Sequence, residues 1–179
     1  LAAGFAANPM FQSLYGSLDS RQFVERIYVN TLGQAGDAAG IDYWVGKLDR
    51  DGWRRSDVVA EIVGNAMTGD LEASLRQGDI TPEVYVAAVR RQQAMTNDAN
   101  TGLYFVQKFG ELSNLDRGTD MTNATSVGQD LSYRAALAAL QLVTYSAERA
   151  TLARNLIDQA LKESDPRTAL INAVTQAAQ

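Results

Sequence analysis

Apolar side chains return every three to four residues along most of this chain, and residues that start or stop helices bracket each run. Asp19 or Ser20 stands at an N-cap position. Phe23, Val24, Ile27 and Tyr28 follow on one face, and Gly33 ends the run. After the loop Gly33-Gln34-Ala35-Gly36, Asp37 is placed to cap a second helix. In it Ile41, Trp44, Val45 and Leu48 fall at i, i+3, i+4 and i+7, a full apolar stripe. The turn Asp49-Arg50-Asp51-Gly52 breaks that helix, and Ser56 is expected to cap a third carrying Val58, Val59, Ile62, Val63 and Met67. Phe23, Ile27, Ile41 and Trp44 are expected to share one core.

The rest of the chain reads as helical too. Thr81 before Pro82 opens a helix through Val84, Tyr85, Ala88 and Val89 to about Met95. Asn97-Asp98 is expected to interrupt it before a further helix that carries Leu103, Tyr104, Val106 and Phe109. A polar loop spans Ser113 to Asp120. Helices are then predicted over Leu131 to Leu142, Ala147 to Leu161 (capped by Ser146) and Pro166 to Ala177 (capped by Asp165). No alternating segment bounded by turns survives as a strand. The prediction is an all-α fold: a compact bundle of eight to ten short helices without a sheet. Residues 1–78 are expected to form one helical region, and residues 79–179 to continue it, packed on the first as one domain. Phe23-Val24-Glu25-Arg26-Ile27 is echoed in type by Phe105-Val106-Gln107-Lys108-Phe109. The flanks do not align, so the echo reads as two amphipathic turns rather than a repeat.

At 179 residues the chain is long enough to bury a real core without staples. It holds no cysteine and no histidine. Those two zeros exclude disulfides, thiolate nucleophiles, Cys- or His-bound metals and any Ser-His-Asp triad. The net charge of −5 and the absence of a basic stretch argue against nucleic acid as a partner. No apolar run approaches the ~18 residues of a membrane span, and no signal-peptide pattern is visible. The first residue is Leu1 rather than Met, which implies a piece of a longer protein.

What chemistry remains must come from oxygen ligands, carboxylates or aromatic surfaces. Glu25, Asp42, Asp49, Asp51 and Glu61 are the acids that a carboxylate-dependent glycan hydrolase would draw on, but each also fits a cap, a turn or an exposed face. The expectation is therefore no catalytic residue and no enzyme. Asn114, Asp116 and Asp120 alternate along the polar loop as in part of a calcium site, although Thr125 stands where the bidentate glutamate would be. Calcium is the one cofactor the sequence leaves open. If it binds there, millimolar calcium raises the melting temperature over that in chelator, and Asp116→Asn removes the rise. Equal melting with calcium and chelator reduces the loop to an ordinary turn. Trp53, Arg54 and Arg55 form the best ligand cluster, an indole able to stack on a sugar ring with guanidinium groups nearby. The competing reading of Trp53 is a lid folded over the core.

The segments Phe11-Gln12-Ser13-Leu14-Tyr15-Gly16, Phe23 to Gly33 and Asp37-Ala38-Ala39-Gly40-Ile41-Asp42-Tyr43-Trp44-Val45 resemble a bacterial family, domain-of-unknown-function family 4214. Gln34 and Gly36 depart from it, standing where the family usually has Arg and often has Pro. The family has no established catalytic residue to carry over. The resemblance implies a secreted or cell-surface setting, beside calcium-binding repeats-in-toxin segments or in surface-layer proteins. It implies a non-catalytic module for attachment or assembly of a larger protein, with bacterial surface polysaccharide as a ligand. The alternative is a protein-interaction scaffold or oligomerisation domain. For that role the alanine-rich stretches 135–142 and 169–178 would supply helix–helix contacts, with a protein partner or between copies.

Overall fold

The computed structural model describes residues 9–110 and 129–179. Nine helices lie among them, and no strand does. They are α1 (Pro9–Tyr15), α2 (Ser20–Leu32), α3 (Ala38–Asp49), α4 (Arg55–Thr68), α5 (Leu71–Gln77), α6 (Pro82–Phe109), α7 (Leu131–Gln141), α8 (Ala147–Ala160) and α9 (Pro166–Ala177). The all-α reading holds. The chain divides into two compact units, one taking the described residues through Tyr85 and the other beginning at Val86.

In the N-terminal unit, local chemistry sets the ends of the first helices. Asp19 Oδ1 accepts the Gln22 amide hydrogen at 2.8 Å while Gln22 Oε1 accepts that of Asp19 at 3.2 Å, a reciprocal box that starts α2. Gly33 closes α2 in the left-handed region, at φ 71°, and its N–H reaches Val29 O. Asp37 caps α3 through Gly40 N at 2.8 Å. The start of α4 differs from expectation. Arg54, not Ser56, is the N-cap, and Ser56 lies buried one position inside the helix. The Asp57 carboxylate draws the chain in at that point, accepting from the Arg54 backbone N–H and from its guanidinium. A further helix, α5, fills part of the interval between Met67 and Thr81, where the periodicity left none. Asp70 caps it through Ala73 N at 2.8 Å and Gly78 ends it at φ 79°. Helices α2, α3 and α4 pack on one another around Phe23, Val24, Ile27, Ile41, Trp44, Val58 and Ile62, joined by Phe11 of α1. The shared core expected of Phe23, Ile27, Ile41 and Trp44 is present.

The C-terminal unit corrects one expectation. α6 is one continuous helix of 28 residues that runs straight through Asn97-Asp98. Asn97 does not compete with the helix because its side chain is committed elsewhere. It is buried, donating from Nδ2 to Thr144 O at 2.8 Å and accepting from Gln93 Nε2 at 3.0 Å. The alanine-rich faces are also used within the unit. Ala135 and Ala139 of α7 are fully buried, sharing a core with Ala153 and Ile157 of α8 and Leu170 and Val174 of α9. Small side chains let these three helices approach closely. The echoed turns prove core-facing in their own units: Phe23 and Ile27 in one, Phe105 and Phe109 in the other.

A candidate binding surface and a hollow in the N-terminal unit

The aromatic signature assembles around Tyr28. Its hydroxyl accepts the Trp44 indole N–H at 3.1 Å, which fixes α3 against α2. Burial pushes the Tyr28 hydroxyl above the ordinary phenol range, as does the charge of Asp37, so the group stays a neutral hydrogen-bonding hydroxyl. Gly36 of the following loop and Gly40 in the first turn of α3 make room for this side chain. A Cβ at Gly36 would meet the Tyr28 ring at 2.7 Å, and one at Gly40 would meet its hydroxyl at 2.9 Å. The close neighbour that Gly40 admits is thus a side chain, and Gly36 takes up a departure from the family pattern by seating the same ring.

On the outer side of α3, Tyr43 is 55% exposed and packs edge-on against Trp44, ring centroids 4.8 Å apart. Lys47 Nζ stands between two rings, 5.3 Å from the Tyr43 centroid and 5.4 Å from that of Trp53. Asp51 Oδ2 accepts from the same ammonium at 2.8 Å, and that bond holds the Asp51 carboxyl below its usual range. Trp53 itself is half-buried against the core, its ring 6.2 Å from Trp44, and its backbone N–H donates to Lys47 O at 3.0 Å. It thus covers the core as a partial lid, with the rest of the residue exposed.

The three residues expected to bind a ligand therefore have different surroundings. Arg54 is exposed but paired with Asp57, Nη2 to Oδ1 at 2.9 Å. Arg55 turns inward, donating to Tyr15 O and Leu18 O and lying 4.8 Å from the Phe23 ring centroid. Trp53 meets Trp44 and Lys47 rather than Arg55. Asn114, Asp116 and Asp120 lie outside the described residues; among the described ones, no group of three or more acids is placed to hold a metal. The candidate acids are individually engaged or exposed. Asp42 pairs with Arg21, Asp49 accepts from Ser20 Oγ at 2.5 Å, and Glu61 is on the surface. Glu25 and Arg26 line a shallow depression on α2 with Gln22 and Asn30.

The inner side of the same helices leaves a hollow of about 160 Å3 lined by Tyr28, Leu32, Trp44, Ile62, Asn65 and Ala66. Sequence reasoning did not find it. Leu32 one turn after Tyr28, and Asn65-Ala66 one turn after Ile62, was the signal available.

Residues 2–66 match the family model of a domain of unknown function, DUF4214. The matched stretch contains α1, α2 and α3, nearly all of α4, and every residue named above as lining the hollow. No curated protein and no solved structure matches the chain. Among the described residues, no helix is long and apolar enough to cross a membrane.

Proposed function

We propose that this chain is a non-catalytic module of a secreted or cell-surface bacterial protein, and that its DUF4214 segment attaches the larger protein to polysaccharide. The extracellular setting rests on the family resemblance. The observation that supports a binding role is the platform on α3: an exposed Tyr43 ring packed edge-on against Trp44, with the Lys47 ammonium close to both it and Trp53. The charges around it are already matched, Arg21 with Asp42 and Lys47 with Asp51. Such a surface favours a neutral sugar, which needs a flat apolar face with donors and acceptors at its edge. One ring contact is worth about 1 kcal/mol, so a single site binds at about millimolar strength, and firm attachment comes from many copies together.

Retention on a polysaccharide matrix tests this reading. Tyr43→Ala is expected to abolish retention without lowering the melting temperature, because the ring is more than half exposed. Raising the salt concentration is expected to leave wild-type retention intact, since stacking on a neutral sugar is not screened by salt as an ion pair is. Retention by Tyr43→Ala equal to that of the wild type, or elution by salt alone, would refute the platform.

A further inference from the structure

Helix α6 distributes its charges the wrong way round for a surface helix. Its five charged residues, Glu83, Arg90, Arg91, Asp98 and Lys108, fall on the half of the helix that also carries the buried Asn97, Thr101, Phe105 and Phe109. The other half has none, although the face away from a core is where charges normally gather. Along that half Val89, Gln92, Thr96, Ala99, Leu103 and Val106 follow one another at alternating intervals of three and four residues, the heptad spacing of a helix–helix seam. The seam is open: Val89 is 39% exposed, Leu103 58% and Val106 63%. Its flanks are uncharged as well, with Gln93, Asn100 and Gln107 on one side and Met95 and Gly102 on the other. Thr96 Oγ1 donates to Gln92 O at 2.9 Å, so that hydroxyl enters the seam already satisfied.

We propose that this seam pairs with the same seam of a second copy of the chain. The heptad spacing calls for another helix, and the flanks decide which one. Helices of different sequence select each other by opposite charges beside the seam, and α6 carries none there to make such a choice. A second copy needs none. Across a two-fold axis the same patch meets itself, so a charged face would oppose its own charge and an uncharged one does not. That distinction matters on a chain with a net charge of −5. Val89, Leu103 and Val106 supply the apolar contact, Ala99 lets the backbones approach, and Gln92 is a polar seam residue of the kind that fixes register at a cost in stability. Two seams of about 18 residues, each ~26 Å long, bury about 1,000 Å2 in all. That is the lower limit for a specific complex, so a dissociation constant on the order of 10–100 μM is expected. The seam shares no residue with the polysaccharide platform, and the two readings stand or fall separately.

Sedimentation equilibrium of the full chain, from about 5 to about 500 μM, tests the pairing by mass action. The weight-average mass is expected to rise from 19.4 kDa towards twice that value. Leu103→Glu sets a charge in the apolar seam and is expected to weaken association at least about tenfold. Its melting temperature at low concentration is expected to match the wild type, because the position is exposed. Leu137→Glu, at an exposed apolar position on α7, is expected to leave association unchanged and so separates this seam from general stickiness. Salt at about 0.5 M is expected to strengthen association, by screening the repulsion between two chains of like net charge. A mass of 19.4 kDa at every concentration overturns the proposal. So does a dimer that a folded Leu103→Glu variant retains, one that Leu137→Glu weakens equally, or one that salt dissociates.

Discussion

Replacing Trp44 by alanine is expected to lower the stability of the N-terminal unit by about 3–5 kcal/mol, the range for deleting a large buried ring. Trp44 is 8% exposed and touches the unit on three sides. It belongs to the cluster formed with Phe23, Ile27, Ile41 and Ile62, meets the rings of Tyr43 and Trp53, and donates its indole N–H to Tyr28. The surrounding residues sit on rigid helices and close only partly over the lost volume. Truncation also strips the half-buried Tyr28 hydroxyl of its donor. Trp44→Phe separates these contributions: it keeps most of the packing and is expected to cost about 1–2 kcal/mol, chiefly the lost hydrogen bond and the smaller ring. A denaturant melt followed by tryptophan fluorescence reads the N-terminal unit selectively, because Trp44 and Trp53 are the only two tryptophans. In the alanine variant Trp53 remains as the reporter. A loss below about 1 kcal/mol would mean that α3 is not held by this ring, contrary to its place in the core.

The helices were legible in the sequence wherever both the stripe and its punctuation were local. Asp19 with Gln22, Gly33, Asp37, Ser146 and Asp165 all act within a turn of where they stand, and each marks the helix end expected of it. Asn97 misled for the same reason. Asn is a helix breaker only when its amide bonds to its own backbone, and here it bonds to Thr144 O, 47 residues away. The alanine faces of α7 and α9 were correctly read as close-packing surfaces, but composition alone does not tell an internal partner from an external one. Candidate binding groups were harder still. Tyr43 and Trp53 could be picked out as aromatics near charges, yet Lys47 standing between them follows from the turn Asp49-Arg50-Asp51-Gly52 folding back on α3. The hollow is less legible again, because a cavity is what side chains fail to fill, and no periodicity records it.

Arg55 is the second costly position. On sequence it reads as a free guanidinium at the edge of a sugar site, whereas in the fold it does the work of a helix cap. α1 ends at Tyr15, and the chain turns through Leu18 before α2 begins, leaving carbonyls without helical partners. Two of them, Tyr15 O and Leu18 O, accept from separate nitrogens of the Arg55 fork, while its plane covers the buried Phe23 ring. A charged donor to a carbonyl is worth ~1.5–3 kcal/mol and the ring contact ~0.5–2 kcal/mol; because the contributions overlap, Arg55→Ala is expected to cost about 2–4 kcal/mol in total. Arg55→Lys is expected to recover less than half of that, since a single ammonium cannot span two carbonyls and lie flat on a ring. The acceptors are neutral, so raising the salt concentration to about 1 M leaves the loss nearly unchanged, unlike a surface ion pair. Retention on polysaccharide falls in the alanine variant only in step with unfolding. A lysine variant as stable as the wild type would remove the fork from this account. Loss of retention in a fully folded alanine variant would return Arg55 to the ligand surface.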